Sequence, residues 1–241
     1  MNEPALALRQ VHAGYDGREV LRGLSLSVPQ GVSLCLVGPN GSGKSTVINA
    51  VLGLCEVNHG SIVVSGRDVT RMAPATRMRA AAIACVMQES SIFPAMTIEQ
   101  NLRLGGYRMS SAAEARDEAA RLLARYPVLG RRRHQLAHVL SGGERRLLEV
   151  VRALMMKPSL LLVDEPSIGL DAHATEMVFS LFADLRAGGI TIVLVEQNLR
   201  AGLGFAELGC IIAGGQVVTV APSAAVLGGS DPRHAFLEGL T

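Results

Sequence analysis

Short, continuous apolar runs recur along the chain, and polar or glycine-containing segments separate them. Each run is four to six residues long, and most have no alternating polar positions. Runs of this kind are typical of strands that are buried on both faces, as in a parallel sheet covered by helices. The predicted strands are 32–37, 82–86, 160–163, 191–195 and 210–213.

Helical signals lie between these runs. Ser111 and Glu114 have the S-x-x-E spacing of a capping box, which predicts a helix towards Arg125. Pro127 is expected to stop that helix, because proline cannot continue one. The predicted helices are 44–54, 111–125, 144–156 and 172–187. Alternating strands and helices predict an α/β fold.

The first part of the chain has a different pattern. Apolar and polar residues alternate over 5–11 and 21–28, and 61–64 is another β-rich segment. Alternation with a period of two predicts strands with one buried face. We therefore expect an antiparallel layer added to the main sheet.

Residues 88–156 carry mostly helical signals and no convincing strand. We interpret them as a helical insertion in a single domain that spans 1–241, whose core and β layer come from 1–87 and 157–241. A chain of 241 residues can bury one such core without disulfides or metals.

The composition excludes several classes of protein. Hydrophobic residues make up 49% and charged residues 18%, which excludes a disordered chain. The two longest uncharged stretches, 23–43 and 208–230, are interrupted by glycine and proline, and neither offers the about 20 apolar residues of a spanning helix. The second stretch predicts strand, turn and strand, with 216–220 as its last part. A net charge of +2 does not indicate a nucleic-acid partner.

The N-terminus and the cysteines point to a reducing compartment. Residues 1–4 lack the basic and apolar regions of a signal peptide. Cys35, Cys55, Cys85 and Cys210 are far apart and show no metal-ligand spacing. We therefore expect free thiols in the cytosol.

Residues 38–46 read G-P-N-G-S-G-K-S-T and match G-x-x-x-x-G-K-[ST], between a predicted strand and a predicted helix. In this context the glycine-rich loop turns its N–H groups towards phosphate oxygens, and the following helix attracts the same anion. Lys44 is expected to contact the β- and γ-phosphates, and Ser45 to hold Mg²⁺. The predicted ATP-binding residues of this loop are Gly38, Pro39, Asn40, Gly41, Ser42, Gly43, Lys44, Ser45 and Thr46.

An apolar strand, 160–163, ends in the two carboxylates Asp164 and Glu165. Asp164 at the strand tip can support Mg²⁺, and Glu165 is then placed to act as the general base on a water molecule. Two adjacent acids could also be simply solvated. The upstream phosphate loop favours the catalytic interpretation.

Residues 140–144, L-S-G-G-E, resemble the signature motif of ATP-binding cassette (ABC) ATPases, whose commonest form ends in Gln. The resemblance extends from about Leu6 to Leu240. It implies a P-loop NTPase with a central, mostly parallel sheet, an antiparallel β layer and a helical subdomain. It also implies a head-to-tail dimer, in which the signature residues Ser141, Gly142, Gly143 and Glu144 act on the ATP of the partner subunit.

Four further features agree with this family. The resemblance implies that Tyr15 stacks on adenine, and that Gln88 senses Mg²⁺ and the γ-phosphate. Residues 167–171, S-I-G-L-D, resemble the D-loop, which ends here at Asp171. Residues 90–102 correspond to the region that docks a membrane subunit, where residues 93–96 would form an apolar face. The basic residues 131–134 either face anionic lipid or form a solvated loop, and a single cluster favours the latter.

Gln197 stands where most ABC ATPases place a catalytic switch histidine. Its amide can still donate a hydrogen bond to the γ-phosphate, but it is neutral and does not titrate. The run 195–198, V-E-Q-N, resembles one of the two ATPases of branched-chain (hydrophobic) amino-acid importers, a subfamily that also includes amide and urea importers. This resemblance implies a heterodimer with a second ATPase, transmembrane permease subunits, an indirectly linked periplasmic solute-binding protein, and a peripheral position on the cytoplasmic face of the inner membrane.

Three alternatives remain open from the sequence. The run 141–146, S-G-G-E-R-R, also resembles exporters of the lipopolysaccharide-extracting type, although their switch position normally keeps histidine. A soluble ABC ATPase of iron–sulfur assembly is a second alternative. The third, a generic P-loop kinase or GTPase, does not explain residues 141–144.

Overall fold

Strands and helices alternate along most of the chain, and the computed structural model describes residues 3–228. The strands are β1 Leu6–Tyr15, β2 Arg18–Val28, β3 Ser33–Val37, β4 Glu56–Val64, β5 Arg67–Asp68, β6 Ile83–Val86, β7 Leu160–Asp164, β8 Thr191–Val195, β9 Leu208–Ala213 and β10 Gln216–Pro222. The helices are α1 Lys44–Leu52, α2 Pro74–Ala80, α3 Ile98–Gly105, α4 Ala112–Arg125, α5 Pro127–Gly130, α6 Gly142–Leu154, α7 Ala172–Ala187, α8 Leu199–Phe205 and α9 Ser223–Leu227, with a short 3₁₀ helix at Ala137–Val139.

The strands form two sheets. The larger has six strands in the order β10-β9-β3-β8-β7-β6, and all neighbours are parallel except β10, which runs antiparallel to β9. The smaller has the order β2-β1-β4-β5 and is antiparallel throughout. The two are separate sheets, joined where the Arg22 amide of β2 donates to the carbonyl oxygen of Gly215 at 3.0 Å.

The interiors of the central strands are apolar because these strands separate two cores. In β3, Leu34 and Leu36 pack into the core that contains the small sheet and α1. Cys35 and Val37 point to the opposite face, into the core that contains α4, α6 and α7. Strands β7 and β8 alternate in the same way. A strand buried on both faces has no solvent-facing position, which explains the continuous apolar runs.

Between β6 and β7 the regular secondary structure is helical, apart from a single bridge between Thr97 and Leu136. The predicted α/β class, with a mostly parallel sheet, an antiparallel layer and a helical segment, is confirmed. The proposed division into 1–87 with 157–241 and 88–156 stays a prediction. Within residues 3–228, none of the helices has the length and apolar character needed to cross a membrane.

The predicted capping box at the start of α4 is wrong, and the predicted end of this helix is confirmed. Ser111 Oγ accepts a hydrogen bond from the Glu114 amide at 3.1 Å, but the Glu114 carboxylate bonds to Ser110 instead of closing the capping box. Ser110 offers both an amide and a hydroxyl donor there. Helix α4 ends at Arg125 as expected, yet Pro127 begins α5, because proline fits the first turn of a helix.

The cysteines agree with the expectation of free thiols. All four lie within the described residues and none forms a disulfide there. Cys35 and Cys210 are buried in the cores, and Cys55 and Cys85 are half-buried. Burial raises the pKa of Cys210 to about 12, so this thiol stays protonated at neutral pH.

Candidate functional site

The loop between β3 and α1 contains the predicted phosphate-binding sequence. Gly38 has a φ of 148° and Gly43 a φ of 105°, values that side chains disfavour. A Cβ at Gly38 would also lie 2.1 Å from the carbonyl oxygen of Ile212 in β9. The loop therefore needs glycine both for its backbone angles and for its close approach to the sheet.

The N-terminus of α1 differs from those of the other long helices. A side-chain oxygen caps α3, α4, α6 and α7, at Thr97, Ser111, Ser141 and Asp171 respectively. Helix α1 follows Gly43, with no side-chain cap and no acidic residue in its first turn. Its first backbone N–H groups are left for another acceptor, and the helix dipole favours an anion there.

Lys44 is the first residue of α1, and its side chain folds back over the loop. Its Nζ donates hydrogen bonds to the carbonyl oxygens of Gly38 at 2.8 Å and Pro39 at 2.9 Å. Burial lowers the pKa of Lys44, and the nearby carboxylates of Glu165 and Asp164 oppose this shift. Because neither carbonyl carries a net charge, the lysine is suited to pair with an anion that enters the loop.

Strand β7 ends at Asp164, which lies beside the phosphate loop. Ser45 Oγ donates a hydrogen bond to Asp164 Oδ1 at 3.2 Å. Burial raises the pKa of Asp164, and the hydrogen bond from Ser45 and the charge of Lys44 oppose the shift. The hydroxyl and carboxylate oxygens are ligands of the type that Mg²⁺ prefers.

Glu165 follows β7 with a strained backbone. Its φ is 48°, in the left-handed region that few residues other than glycine adopt. Oε1 accepts a hydrogen bond from Gln197 Nε2 at 2.6 Å. Oε2 is buried and has no hydrogen-bond partner among the described residues. Strain and an unpartnered buried oxygen are both typical of functional sites.

Lys44, Ser45, Glu165 and Gln197 meet at a cavity of 460 Å³, and Asp164 lies outside its lining. Its lining comes from Val20, Asn40, Gly41, Gly43, Lys44, Ser45, Thr46, Gln88, Glu165 and Gln197. Strands β3, β6, β7 and β8 are neighbours in one parallel sheet, so the segments that follow them lie at the same edge. This edge, at the carboxyl ends of the strands, is where open α/β sheets bind ligands.

Tyr15 lies outside this lining, at the end of β1. Its ring is partly exposed, and its hydroxyl accepts a hydrogen bond from Asn49 Nδ2 of α1 at 2.7 Å. Asn49 lies about one helical turn after Ser45, so Tyr15 lies beside α1 and outside the cavity. Ser42 is also outside the lining, and its buried hydroxyl has no partner among the described residues.

The predicted signature residues lie at the start of α6 and do not line this cavity. Ser141 Oγ accepts from the Glu144 amide at 3.3 Å, and Glu144 Oε2 accepts from the Ser141 amide at 2.9 Å, which completes a capping box. A Cβ at Gly143 would lie 2.7 Å from the Cβ of Ala174 in α7. Within residues 3–228, the starts of α1 and α6 therefore do not share this cavity.

Three of the basic residues 131–134 have side-chain partners. Arg132 Nη1 donates to Glu144 Oε1 at 2.7 Å. Arg133 and His134 approach Glu99 Oε2, at 3.9 and 3.7 Å. The cluster thus sits against carboxylates in the first turns of α6 and α3. The sequence did not show this, because each partner is distant along the chain.

Two buried charged residues of α6 were missed by the sequence reasoning. Arg146 donates to the carbonyl oxygens of Met87 at 2.8 Å and Gln88 at 3.2 Å, and to Glu149 Oε2 at 2.9 Å. Glu149 Oε1 accepts from Ser90 Oγ at 2.7 Å. Helix α6 thereby holds the segment after β6 in place. The i,i+3 spacing of opposite charges was the available signal.

The chain was compared with protein families, curated proteins and solved structures. The model of the ABC transporter family matches residues 21–168. The high-affinity branched-chain amino acid transport ATP-binding protein BraG of Pseudomonas aeruginosa is 34% identical over 234 residues, 97% of this chain and 100% of that protein. The lipopolysaccharide export system ATP-binding protein LptB of Haemophilus influenzae is 30% identical over 234 residues, 96% of each chain.

The fold gives the same result. The crystal structure of the ADP conformation of an ATP-binding cassette of an ABC transporter matches with a TM-score of 0.86 and 27% identity, and the match covers 98% of each chain. The family model spans more than half of this chain, and the relatives align over almost all of it. The chain therefore belongs to the ABC transporter family and is one of its nucleotide-binding ATPases.

Proposed function

We propose that the chain is the ATP-hydrolysing subunit of an importer of branched-chain or other hydrophobic amino acids, or of related amides. It would lie peripherally on the cytoplasmic face of the inner membrane. The observation that carries ATP hydrolysis in this proposal is the convergence of Lys44, Gln88, Glu165 and Gln197 on one cavity.

In this proposal the phosphate loop binds the triphosphate of ATP. The uncapped N–H groups at the start of α1 donate hydrogen bonds to the phosphate oxygens, and Lys44 exchanges its two carbonyl partners for the β- and γ-phosphates. Tyr15, beside α1, would supply an aromatic face for adenine. Base–aromatic stacking contributes about 1–3 kcal/mol.

Oxygen donors beside the loop fit a divalent cation. Ser45, Asp164 and the amide oxygen of Gln88 would hold Mg²⁺, which prefers such ligands. Bound there, Mg²⁺ would neutralise charge on the β- and γ-phosphate oxygens. The buried Asp164 is expected to ionise fully when it faces the cation, since an adjacent positive charge favours the charged form.

Glu165 is the proposed general base. Its Oε2 has no hydrogen-bond partner among the described residues, so it can accept the proton of an attacking water. Gln197 Nε2 holds the other oxygen, Oε1, and fixes the orientation of the carboxylate. In the presence of ATP the same amide can donate to the γ-phosphate.

Two substitutions test whether hydrolysis needs the side-chain N–H donor of Gln197. We expect Gln197→Ala to lower kcat by about tenfold, because the carboxylate of Glu165 loses its only side-chain partner among the described residues. Gln197→His should retain more activity, since a ring N–H can replace the amide donor. Steady-state ATPase rates of the assembled complex measure both. Equal rates for the wild type and both variants would show that Gln197 has no role in hydrolysis.

The signature residues Ser141, Gly142, Gly143 and Glu144 are proposed to contact ATP bound by a partner subunit. They are adjacent to the 167–171 loop, since a Cβ at Gly142 would lie 3.4 Å from the Leu170 side chain. This loop, which ends at Asp171, also presents Ile168 with 48% of its surface exposed. An apolar, exposed loop beside an exposed helix start suits a head-to-tail dimer, here with a second, different ATPase.

The class of solute is proposed from two observations. BraG, whose name refers to branched-chain amino acid transport, aligns along its whole length. Gln197 also replaces the histidine that lipopolysaccharide-type exporters normally keep. The export candidate is supported by the match to LptB, at 30% identity. A periplasmic solute-binding protein would deliver the solute to the import complex.

The membrane subunits are proposed to dock beside α3 and α6. A groove of 600 Å³ lies there, lined in part by Met78, Cys85, Phe93, Leu104 and Tyr107. Phe93 and Tyr107 are 48% and 74% exposed. The groove adjoins Ser91, so it is continuous with the segment that leads to Gln88.

Purification of the tagged chain from detergent-solubilised membranes tests this function. We expect multi-spanning subunits to co-purify, and Phe93→Ser to reduce their recovery at least several-fold because it removes exposed apolar surface from the groove. Val128→Ser is the matched control, since Val128 is 45% exposed on α5 outside this groove. A purely soluble complex would contradict transport. ATP-driven uptake of leucine by the purified complex would separate import from export.

A further inference from the structure

Glu196, which follows β8, is a buried carboxylate with an unusual set of partners. It is only 2% exposed. Its Oε1 accepts hydrogen bonds from Ser167 Oγ at 2.9 Å, from the backbone N–H of Gln197 at 2.9 Å and from the backbone N–H of Asn198 at 3.0 Å. Its Oε2 accepts from the Ser167 amide at 3.3 Å.

No cation pairs with Glu196 among the ion pairs of the described residues. A buried charge is costly unless it is paired or well hydrogen-bonded, so these four donors are what keeps it in place. The side chain also has little room to move. A Cβ added at Gly202 of α8 would lie 2.8 Å from the Cβ of Glu196.

These bonds connect two loops that come from neighbouring strands. Ser167 belongs to the loop after Glu165 and gives both its amide and its hydroxyl to Glu196. The backbone N–H of Gln197 donates to Glu196, and the side-chain Nε2 of Gln197 donates to Glu165. The bonds run from Ser167 through Glu196 and Gln197 to Glu165, and Ser167 follows Glu165 by two residues along the chain. A displacement of one loop is therefore expected to displace the other.

We propose that Glu196 is a positioning residue that couples the 167–171 loop to the carboxylate of Glu165 through Gln197. This inference rests on the proposed ATPase function and adds a route by which the loop beside the signature affects hydrolysis. The 167–171 loop is exposed at Ile168 and adjoins Gly142. When a partner subunit moves that loop, the movement displaces Glu196 through its hydrogen bonds to Ser167. Gln197, which bonds to both glutamates, then changes the orientation of the Glu165 carboxylate.

Glu196→Gln in the assembled complex tests the proposal. The variant replaces one acceptor oxygen by an NH₂ group that faces N–H donors. We expect kcat to fall by about tenfold while the Kd for ATP changes by less than about twofold, because Glu196 does not line the cavity. If Glu196 had only a structural role, the variant would not lose kcat and keep its Kd for ATP while its thermal unfolding stays cooperative.

A double-mutant cycle shows whether Ser167 and Glu196 act together. Ser167→Ala is expected to lower kcat by about threefold, and Ser167→Ala with Glu196→Gln to be no slower than Glu196→Gln alone. Glu207→Gln is the matched control. That carboxylate also accepts a hydrogen bond, from the Ser33 amide at 3.1 Å, but it lies outside the cavity lining and should leave kcat unchanged.

Two results would overturn the coupling. One is a Glu196→Gln protein with the wild-type kcat, and the other is a double variant whose loss is the product of the single losses. If Glu196→Gln does not fold, Ser167→Ala is measured in a Gln197→Ala background, where coupling predicts no further loss and independence predicts another threefold. A wild-type complex without ATPase activity would contradict the proposed function instead.

Discussion

Glu165→Gln is expected to abolish most ATP turnover and to leave ATP binding intact. The amide keeps the shape of the side chain, and its oxygen can still accept a hydrogen bond from Gln197, but it cannot accept a proton from water. Loss of a general base typically costs about 10²–10⁴ in rate. The measurement is the steady-state ATPase rate of the assembled complex beside equilibrium binding of ATP to the same preparation.

Glu176→Gln is the matched control, because Glu176 is an exposed carboxylate of α7 that does not line the cavity. It should retain wild-type turnover. If Glu165→Gln hydrolysed ATP at the wild-type rate, Glu165 would have no catalytic role, and the strain at its φ of 48° would need another explanation.

Lys44→Ala is expected to lose ATP binding itself. Lys44 is the only cation among residues 3–228 that lines the cavity, and its ammonium group has carbonyl partners in the loop. We expect the Kd for ATP to rise at least about 100-fold, which corresponds to about 2.8 kcal/mol. Fluorescence titration with an ATP analogue, or calorimetry, measures the change directly.

The chain provides a clean control for this experiment. Its basic residues are almost all arginines, and Lys157 is the only other lysine. Lys157 is exposed and pairs with Glu118 at 3.7 Å, outside the cavity lining. Lys157→Ala should bind ATP normally. Normal ATP binding by Lys44→Ala would show that the assignment of the phosphate loop is wrong.

The sequence predicted best the elements that are uniformly buried or whose ends carry clear signals. Strand β8 was predicted over 191–195 and helix α7 over 172–187, and both have these bounds in the structure. Strand β8 is buried on both faces, and α7 has a clear N-cap and a following glycine pair. Strand β1 was predicted to end at Val11 but continues to Tyr15. Its pairing with β2 contains register shifts that break the alternating pattern.

The sequence also predicted which residues meet at the cavity, but not how they bond. The motifs brought together Lys44, Gln88, Glu165 and Gln197, because each follows a strand of one parallel sheet. The hydrogen bond between Gln197 and Glu165 depends on the relative positions of the loops that follow β7 and β8. The burial of Glu196 depends on packing against α8. Neither leaves a spacing signal in a single sequence.

The most direct test of the central claim is a crystal structure of the Glu165→Gln protein with ATP and Mg²⁺. We predict the triphosphate in the loop at the start of α1, with Lys44 Nζ on the β- and γ-phosphates and no longer on the carbonyl oxygens of Gly38 and Pro39. Ser45 Oγ should be a ligand of the metal. ATP bound elsewhere, or a Lys44 that still bonds to those carbonyl oxygens, would contradict the account.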